Sequence, residues 1–279
     1  MTAVEADGRR IALTSLDKVL WPRTGFTKRD MIDYYTRIAP VLLPHLRGRP
    51  LTLGRFPDGV EGPGFAQNEC RGCPDWLETH PITLKSGVVR RYCVLEDLPS
   101  LLWVANLGTI ELHPYLWRTT SGGRPSTLVL DLDPLPPAGF DECRRVALRL
   151  RELLARDGLT AQPKTSGASG LHVFAPVEGR SFAETKAAAR RLAESLAAEW
   201  PGLVAMRQTR AERHGRVLVD WLQNDPMRST VAPYSLRATP EPQVSTPLTW
   251  AEVERTLDLR FSPGDVLERV AAGGDLFAG

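Results

Sequence analysis

Two carboxylates close the apolar stretch Ser126-Thr-Leu-Val-Leu-Asp131-Leu-Asp133-Pro134. In a β-strand alternate side chains point to the same face, so we expect Asp131 and Asp133 to stand together and Leu132 to face the other way. Two like charges this close repel each other, and a hard cation relieves that repulsion. Pro134 cannot donate to a sheet ladder, which favours a strand end at the acids. The pattern predicts a Mg²⁺ or Mn²⁺ site that serves a phosphate-bearing substrate.

The composition is that of a globular protein with a sizeable core. Of the 279 residues, 42% are hydrophobic and 24% charged, and the formal net charge is only +2. Any nucleic-acid-binding surface must therefore be a local patch. The sequence has no apolar signal segment and no run near the roughly 18 apolar residues of a membrane helix. We expect a cytoplasmic, nucleoid-associated protein without a membrane partner, whose four cysteines form no disulfide framework.

Helical and strand patterns alternate along the chain, which predicts an α/β (α+β) fold. Helices are predicted over 28–46, 99–107, 141–157 and 181–200, with short ones from Thr249 and Ser262. Strands are predicted over 51–56, 109–113, 126–134, 171–176 and 217–222, with a hairpin over 82–92. Residues 1–10 are expected to be loose and 57–75 to form a long loop. The halves 1–120 and 121–279 are expected to form two mixed-sheet lobes with flanking helices around a central cleft.

A segment rich in glycine and hydroxyl groups, Lys164-Thr-Ser-Gly-Ala-Ser-Gly-Leu-His172, precedes a predicted strand. Its glycines allow backbone N–H groups to approach phosphate oxygens, and Ser166, Ser169 and His172 can donate hydrogen bonds to them. The segment is not a P-loop, because the Gly-Lys-Ser/Thr ending is missing. The alternative is a glycine-rich turn beside a packed histidine.

A third carboxylate lies in the apolar segment Val217-Leu-Val-Asp220-Trp-Leu-Gln-Asn224. A lone acid in an apolar strand is costly unless it is paired or binds a metal. On a strand beside Asp131 and Asp133, Asp220 would complete a set that can hold two metal ions for nucleotidyl transfer. Downstream, Arg237 is suited to a triphosphate, although an ordinary surface arginine is the alternative.

The order of these motifs resembles the archaeo-eukaryotic primase superfamily, and more closely the polymerase domain of bacterial ligase D, the non-homologous end-joining enzyme. Further matching stretches occur in family order: Leu16-Asp-Lys18-Val-Leu-Trp-Pro, Thr27-Lys28, Arg55-Phe-Pro-Asp-Gly, Pro74-Asp-Trp76, Asn106-Leu-Gly-Thr-Ile-Glu-Leu-His113 and Ala232-Pro-Tyr-Ser-Leu-Arg237. The resemblance runs from about residue 11 to the end. It implies a single primase-polymerase catalytic domain over 1–279, either a stand-alone polymerase or an excised domain.

The resemblance also implies a role for each matching residue. Catalysis and the ligation of two Mn²⁺ or Mg²⁺ ions fall to Asp131, Asp133 and Asp220. Nucleotide binding falls to His113, Lys164, Ser166, Ser169, His172 and Arg237. DNA binding falls to Lys18, Lys28, Arg55 and Phe65. The two lysines would bind a 5′-phosphate and Phe65 would stack on the template, whereas solvated lysines and a loop anchor are the ordinary alternatives.

The implied activity is template-directed addition of nucleotides, with ribonucleotides preferred, to a 3′-hydroxyl at DNA gaps or ends. Its partners would be gapped or broken DNA with a 5′-phosphate, an NTP or dNTP and a Ku-type end-binding protein. A separate DNA ligase is also expected, because the sequence contains no Lys-x-Asp-Gly nucleophile and no histidine-rich phosphoesterase segment. The alternatives are a non-catalytic DNA-end-binding module and a Mn²⁺-dependent glycosyltransferase, which would leave Asp220 unexplained.

The loop before Pro74-Asp-Trp76 departs from the family pattern. One aromatic residue and one lysine are missing, and Cys70-x-x-Cys73 is added. With His80 and Cys93 these cysteines can form a zinc site, but a lone Cys-x-x-Cys is half of one. Free or partly buried thiols are therefore expected.

Overall fold

Each of two units of the chain is built on its own five-stranded sheet in this computed structural model, which describes residues 2–255 and 259–277. The first unit comprises the chain up to Tyr115 together with Ser229–Val244 and Phe261–Asp275. The second comprises Leu116–Arg228, Ser245–Arg260 and the C-terminal residues. The late segments of the first unit thus lie outside the contiguous range 1–120 expected for one lobe.

The predicted mixed α/β class is confirmed. The strands are β1 (Thr2–Ala6), β2 (Arg9–Leu13), β3 (Val19–Trp21), β4 (Phe26–Thr27), β5 (Pro50–Arg55), β6 (Phe65–Gln67), β7 (Thr79–Thr83), β8 (Val89–Val94), β9 (Thr109–Pro114), β10 (Thr127–Pro134), β11 (Gln162–Thr165), β12 (Leu171–Pro176), β13 (Val204–Ala205), β14 (Val217–Asp220), β15 (Leu236–Arg237) and β16 (Gln243–Val244). The helices are α1 (Lys28–Leu46), α2 (Leu98–Asn106), α3 (Phe140–Arg156), α4 (Phe182–Glu199), α5 (Arg210–Arg213), α6 (Trp250–Arg255) and α7 (Pro263–Gly273), and Trp221–Gln223 forms a 3₁₀ turn.

The first unit packs α1 and α2 with a sheet in which β5 pairs with β6, β8 and β9. Helix α1 has the predicted bounds, because Thr27 caps it and a capping box with Asp30 closes its first turn. Its apolar residues recur at helical spacing and are buried. Two buried tyrosines satisfy their hydroxyls on distant backbone: Tyr34 donates to the carbonyl of Tyr234 at 2.8 Å, and Tyr35 donates to that of Ile110.

The second unit is a sheet in the order β11-β12-β10-β14-β13. Strand β10 is central, paired antiparallel with β12 on one side and β14 on the other, and helices α3 and α4 pack against it. A central strand covered by helices explains its apolar run from Leu128 to Leu130, all fully buried. The acids at its end are therefore held on the most constrained strand of the unit.

Three expectations about the first unit were wrong. Residues 1–10 are not loose, since β1 and β2 pair as an antiparallel hairpin. The loop 57–75 contains β6, which pairs with β5. Cys70 is not a free thiol: it forms a disulfide with Cys93, whose strand β8 runs beside it. Cys73 is a free, partly exposed thiol, as expected.

Among the described residues, no helix is long and apolar enough to span a bilayer.

Candidate active site

Strand pairing brings the three predicted carboxylates together. Asp131 and Asp133 lie on the same face of β10, two residues apart, as their spacing predicts. Asp220 ends β14 and is the direct cross-strand partner of Asp131. The neighbouring-strand position expected for Asp220 is thus confirmed.

Asp131 perturbs the other two carboxylates. Burial raises the pKa of Asp133, and the charge of Asp131 raises it further, against the opposing effect of Arg213. Burial also raises the pKa of Asp220, and Asp131 again contributes to the increase. Because the pKa values of Asp133 and Asp220 are raised, ionisation of these carboxyl groups costs free energy. A bound cation would remove that cost.

Polar side chains that the sequence analysis did not select hold the acids in place. Arg213 forms an ion pair with Asp133. Gln208 and Gln223 each donate to Oδ2 of Asp220, at 3.1 and 3.2 Å. Sequence reasoning missed Arg213 and Gln208, because no spacing rule links them to the acids, and it gave no role to Gln223, three residues after Asp220.

The chemistry of this donor set fits Mg²⁺ or Mn²⁺, since both ions prefer carboxylate oxygen. The buried Asp220 and the half-buried Asp133, both with raised pKa values and beside a third acid, are the kind of group that such an ion stabilises. Across residues 2–255 and 259–277, however, no group of three or more His, Cys, Asp or Glu side chains converges closely enough to enclose an ion. Arg213 and the two glutamines engage the acids instead.

The serine–glycine segment forms a tight loop that enters β12. Oγ of Ser166 accepts from the backbone N–H groups of Ala168 and Gly170, at 3.2 and 3.1 Å. A Cβ atom on Gly170 would lie 2.0 Å from the carbonyl oxygen of Leu132, so only glycine allows this approach to β10. The hydroxyl proton of Ser166 is not used in these two bonds, because the oxygen acts as acceptor in both.

His172 and Ser169 leave the same loop in different directions. His172 pairs with Asp131 across β12 and β10, and its Nε2 lies 3.2 Å from Oδ1 of Asp131. Ser169 is exposed and lines a cavity of about 330 Å³ that also contains Arg260. The loop thus places one predicted nucleotide-binding side chain beside the acids.

Lys164 does not present its ammonium group at the surface as a triphosphate ligand would. It is fully buried on β11, and its Nζ donates to Oγ of Ser245 at 2.5 Å. The ring of Phe174 lies 5.5 Å from the same nitrogen, in a cation–π contact. Lys164 therefore links β11 to the segment at Ser245 inside the second unit. Its complete burial does not fit the nucleotide-binding role that was expected for it.

The first unit has a pocket of about 370 Å³ that contains two of the predicted residues, Phe65 and His113. Phe65 is 49% exposed, and the guanidinium of Arg55 lies 5.4 Å from the centre of its ring. Arg55 also donates to the carbonyl of Leu107 and to Gln67, which fixes it beneath the aromatic ring. An exposed aromatic ring held by a cation is a suitable stacking platform for a nucleobase.

Arg237 and His113 meet on one carboxylate of the first unit. Nε2 of His113 lies 2.8 Å from Oε2 of Glu111, and Nε of Arg237 lies 3.2 Å from Oε1. Sequence reasoning selected the histidine and the arginine but missed Glu111, two residues before His113. Alternation on β9 was a usable signal, because it places Glu111 and His113 on the same face.

The hairpin β3–β4 brings Lys18 and Lys28 together. These residues flank the hairpin, and the N–H of Lys28 donates to the carbonyl of Lys18 at 2.8 Å. Nζ of Lys18 pairs with Asp58 at 2.7 Å, whereas Nζ of Lys28 donates to the carbonyl of Thr14. Burial lowers the pKa of Lys28, and the charge of Lys18 adds to the decrease. Two lysines that repel each other in this way suit an anion.

A family model described as the LigD primase-polymerase domain matches residues 27–277. The chain belongs to the LigD primase-polymerase family. This confirms the resemblance seen in the sequence motifs. LigD polymerase domains are DNA-directed nucleotidyltransferases with an archaeo-eukaryotic primase-like fold, and the LigD proteins named below are non-homologous end-joining proteins.

Relatives and solved structures agree with this assignment. The multifunctional non-homologous end joining DNA repair protein LigD of Mycobacterium tuberculosis is 39% identical over 97% of this chain. The bifunctional LigD of Bacillus subtilis is 30% identical over 95% of it. The chain spans only 37% and 43% of those two proteins. The polymerase domain of M. tuberculosis ligase D, solved in complex with DNA, superposes with a TM-score of 0.91 at 39% identity and covers 96% of each chain.

Proposed function

We propose that this domain adds nucleotides, with ribonucleotides preferred, to a 3′-hydroxyl at gaps or ends of DNA in double-strand break repair. The observation that carries the proposal is the cross-strand pair Asp131–Asp220 with Asp133 beside it, in a chain of the LigD primase-polymerase family. An end-binding module without catalysis has no need for two acids whose pKa values are raised by burial and by a third acid, Asp131.

In the second unit, Asp131, Asp133 and Asp220 would hold the metal ions. Bound Mn²⁺ or Mg²⁺ supplies Lewis acidity for the attacking 3′-hydroxyl and charge neutralisation for the leaving pyrophosphate. Ser166 would donate its hydroxyl proton to a phosphate oxygen, and His172 would present a ring N–H beside Asp131. Arg213 would have to leave Asp133 before that carboxylate binds an ion.

In the first unit, Lys18 and Lys28 would bind the 5′-phosphate at the far side of a gap, since they form a paired cationic site. Phe65, held by Arg55, would stack on a template base. His113 and Arg237 would bind the sugar or phosphates of the incoming nucleotide. These contacts position the DNA backbone and nucleotide and read no base sequence.

Protein partners follow from the same family relationship. A Ku-type end-binding ring would deliver the broken end, and a DNA ligase activity would seal the extended strand. Both are proposals for this chain, since it spans little more than a third of the mycobacterial relatives.

Primer extension on a short-gapped DNA with a 5′-phosphate, supplied with Mn²⁺, tests the proposal. We expect template-directed addition, stronger with ribonucleotides than with deoxyribonucleotides. Asp131→Ala should lower the extension rate about a hundredfold or more, because it removes a proposed metal ligand, while DNA affinity is retained. Asp157→Ala is the matched control, since Asp157 is an exposed carboxylate at the end of α3. Normal extension by Asp131→Ala would refute the metal assignment.

A further inference from the structure

Two hydrogen-bonding groups and one guanidinium cation converge on the carboxylate of Glu111. Oε2 lies 2.8 Å from Nε2 of His113. Oε1 accepts from the backbone N–H of Ala238 at 3.0 Å and lies 3.2 Å from Nε of Arg237. One acid on β9 therefore links a neighbour on its own strand to residues that follow more than 120 positions later.

The absence of a side chain at Gly54 leaves room for the Glu111 carboxylate. Gly54 on β5 is the cross-strand partner of Glu111 on β9. A Cβ atom on Gly54 would lie 2.8 Å from Cβ of Glu111 and 3.4 Å from its Oε2. Any larger residue would push the acid out of place, so the glycine and the glutamate form a matched pair. Glu111 itself is only 15% exposed, on the wall of the 370 Å³ pocket.

The charge state of Glu111 makes it an acceptor only. Burial by itself would raise its pKa, but the hydrogen bond from His113 and the charge of Arg237 lower the pKa to about 2. An ionised carboxylate cannot donate, so the atom of His113 that faces it must carry a proton. In the neutral imidazole, that leaves the proton on Nε2 and makes Nδ1 the acceptor.

We propose that Glu111 is a positioning residue for the nucleotide: it fixes the Nε2–H tautomer of His113 and the orientation of the Arg237 guanidinium. The inference rests on the proposed function, in which those two residues bind the incoming nucleotide. Nδ1 of His113 then offers an acceptor for a hydroxyl of the nucleotide, and Arg237 offers its remaining N–H groups to phosphate oxygens.

Glu111→Gln separates this role from simple packing. The amide has the same shape but only one acceptor oxygen, so it cannot accept from both His113 and the N–H of Ala238 through separate oxygens, as the carboxylate does. When that oxygen stays with Ala238 and Arg237, the NH₂ group faces Nε2 of His113. Nε2 must then become the acceptor, and the ring proton moves to Nδ1. Glu111→Asp keeps an ionised acceptor and is expected to keep the Nε2–H tautomer.

The first measurement is ¹⁵N NMR of protein labelled at histidine, with the His113 signals assigned from a His113→Gln variant. We expect the Nε2–H tautomer in the wild type and in Glu111→Asp, and the Nδ1–H tautomer in Glu111→Gln. Glu61→Gln is the matched control, because Glu61 is exposed, and it should leave the tautomer unchanged. The same tautomer in wild type and Glu111→Gln would overturn the proposal.

The second measurement is steady-state extension with varied nucleotide. Glu111→Gln should raise the KM for nucleotide about tenfold and change kcat and the KM for DNA little, since ground-state positioning is lost. In a His113→Gln background the same substitution should cost less, because one of its two targets is gone. An unchanged nucleotide KM in an active, folded Glu111→Gln would overturn the proposal.

The two measurements distinguish failure of the proposed function from failure of the positioning role of Glu111. A wild-type protein that extends no primer refutes the proposed function, while the tautomer still decides whether Glu111 orients His113. A wild-type protein that does extend, with neither tautomer nor KM altered in Glu111→Gln, refutes the positioning role alone.

Discussion

Each of the two units holds side chains of like charge close together, anionic in one unit and cationic in the other. Asp131, Asp133 and Asp220 are anions forced close together, whereas Lys18 and Lys28 are cations forced close together. In both places the fold holds charges that repel each other, and a bound ion of opposite sign would relieve the repulsion. That complementarity is why a divalent cation is proposed for one group and a phosphate for the other.

At the residue scale, Lys18→Gln should weaken the preference for a 5′-phosphorylated gap over a 5′-hydroxyl gap about tenfold. A hydrogen bond between charged groups contributes about 1.5–3 kcal/mol, and Lys18 is the more exposed of the two lysines. The measurement is the Kd for both DNAs by fluorescence anisotropy. Arg23→Gln in the turn of the same hairpin is the control for a lost charge, and it should affect both DNAs equally. An unchanged ratio in Lys18→Gln would remove the 5′-phosphate assignment.

Some strands are held in place by side-chain amides that form hydrogen bonds with backbone groups, as a neighbouring strand would. Asn224, fully buried after β14, completes part of the β10 ladder: its Oδ1 accepts from the N–H of Val129 at 2.9 Å and its Nδ2 donates to the same residue's carbonyl at 2.7 Å. Asn106 at the end of α2 makes the same kind of double contact, with Thr14 and Ala12, but in a solvent-exposed setting. Comparing Asn224 with Asn106 therefore separates the effect of burial on stability from the effect of hydrogen bonding.

At the element scale, Asn224→Leu should lower the free energy of unfolding by about 3 kcal/mol. The substitution leaves a buried N–H and a buried carbonyl of the central strand without a partner, at about 1–3 kcal/mol each. Asn106→Leu should cost about 1 kcal/mol or less, because water replaces the lost bonds. Urea denaturation of both variants provides the measurement. An equal loss of unfolding free energy in both variants would mean that burial of the contact between Asn224 and Val129 adds nothing to stability.

Charge on the whole molecule is nearly balanced, and this sets how DNA can bind. With a net charge of +2, long-range attraction is weak and affinity has to come from local cationic groups such as Lys18 and Lys28. Surface ion pairs neutralise many cations: Arg149 pairs with Glu152 and Glu199, and Lys18 itself pairs with Asp58 until a phosphate takes its place. A compact set of phosphate contacts is therefore expected.

At the scale of the whole molecule, log Kobs for gapped DNA should fall linearly with log salt, with a slope between about −3 and −6. That slope corresponds to roughly three to seven neutralised phosphates on duplex DNA. Titrations at several NaCl concentrations measure it, and Lys18→Gln should reduce its magnitude by about one. A slope near zero would contradict backbone-directed binding.

Local rules account for the elements that the sequence predicted well. Thr27 and the helical spacing behind it define α1 from residues that are neighbours in the chain. The period of two in β10 places Asp131 and Asp133 on one face for the same reason. The family motifs predict roles for Asp220, His172, His113 and Arg237, and these roles remain proposals.

Long-range packing decided the rest. The sequence did not reveal that Lys164 is buried, because burial depends on Ser245, 81 positions later, and on Phe174 of the neighbouring strand β12. It also gave no sign that Cys70 pairs with Cys93. Arg213 on Asp133 and Arg237 on Glu111 are contacts of the same kind, joined across 80 and 126 positions. Residue types and periodicity determine which groups carry the chemistry, whereas only the folded chain determines which of them meet, because contacts between distant residues depend on the packing of whole strands and helices.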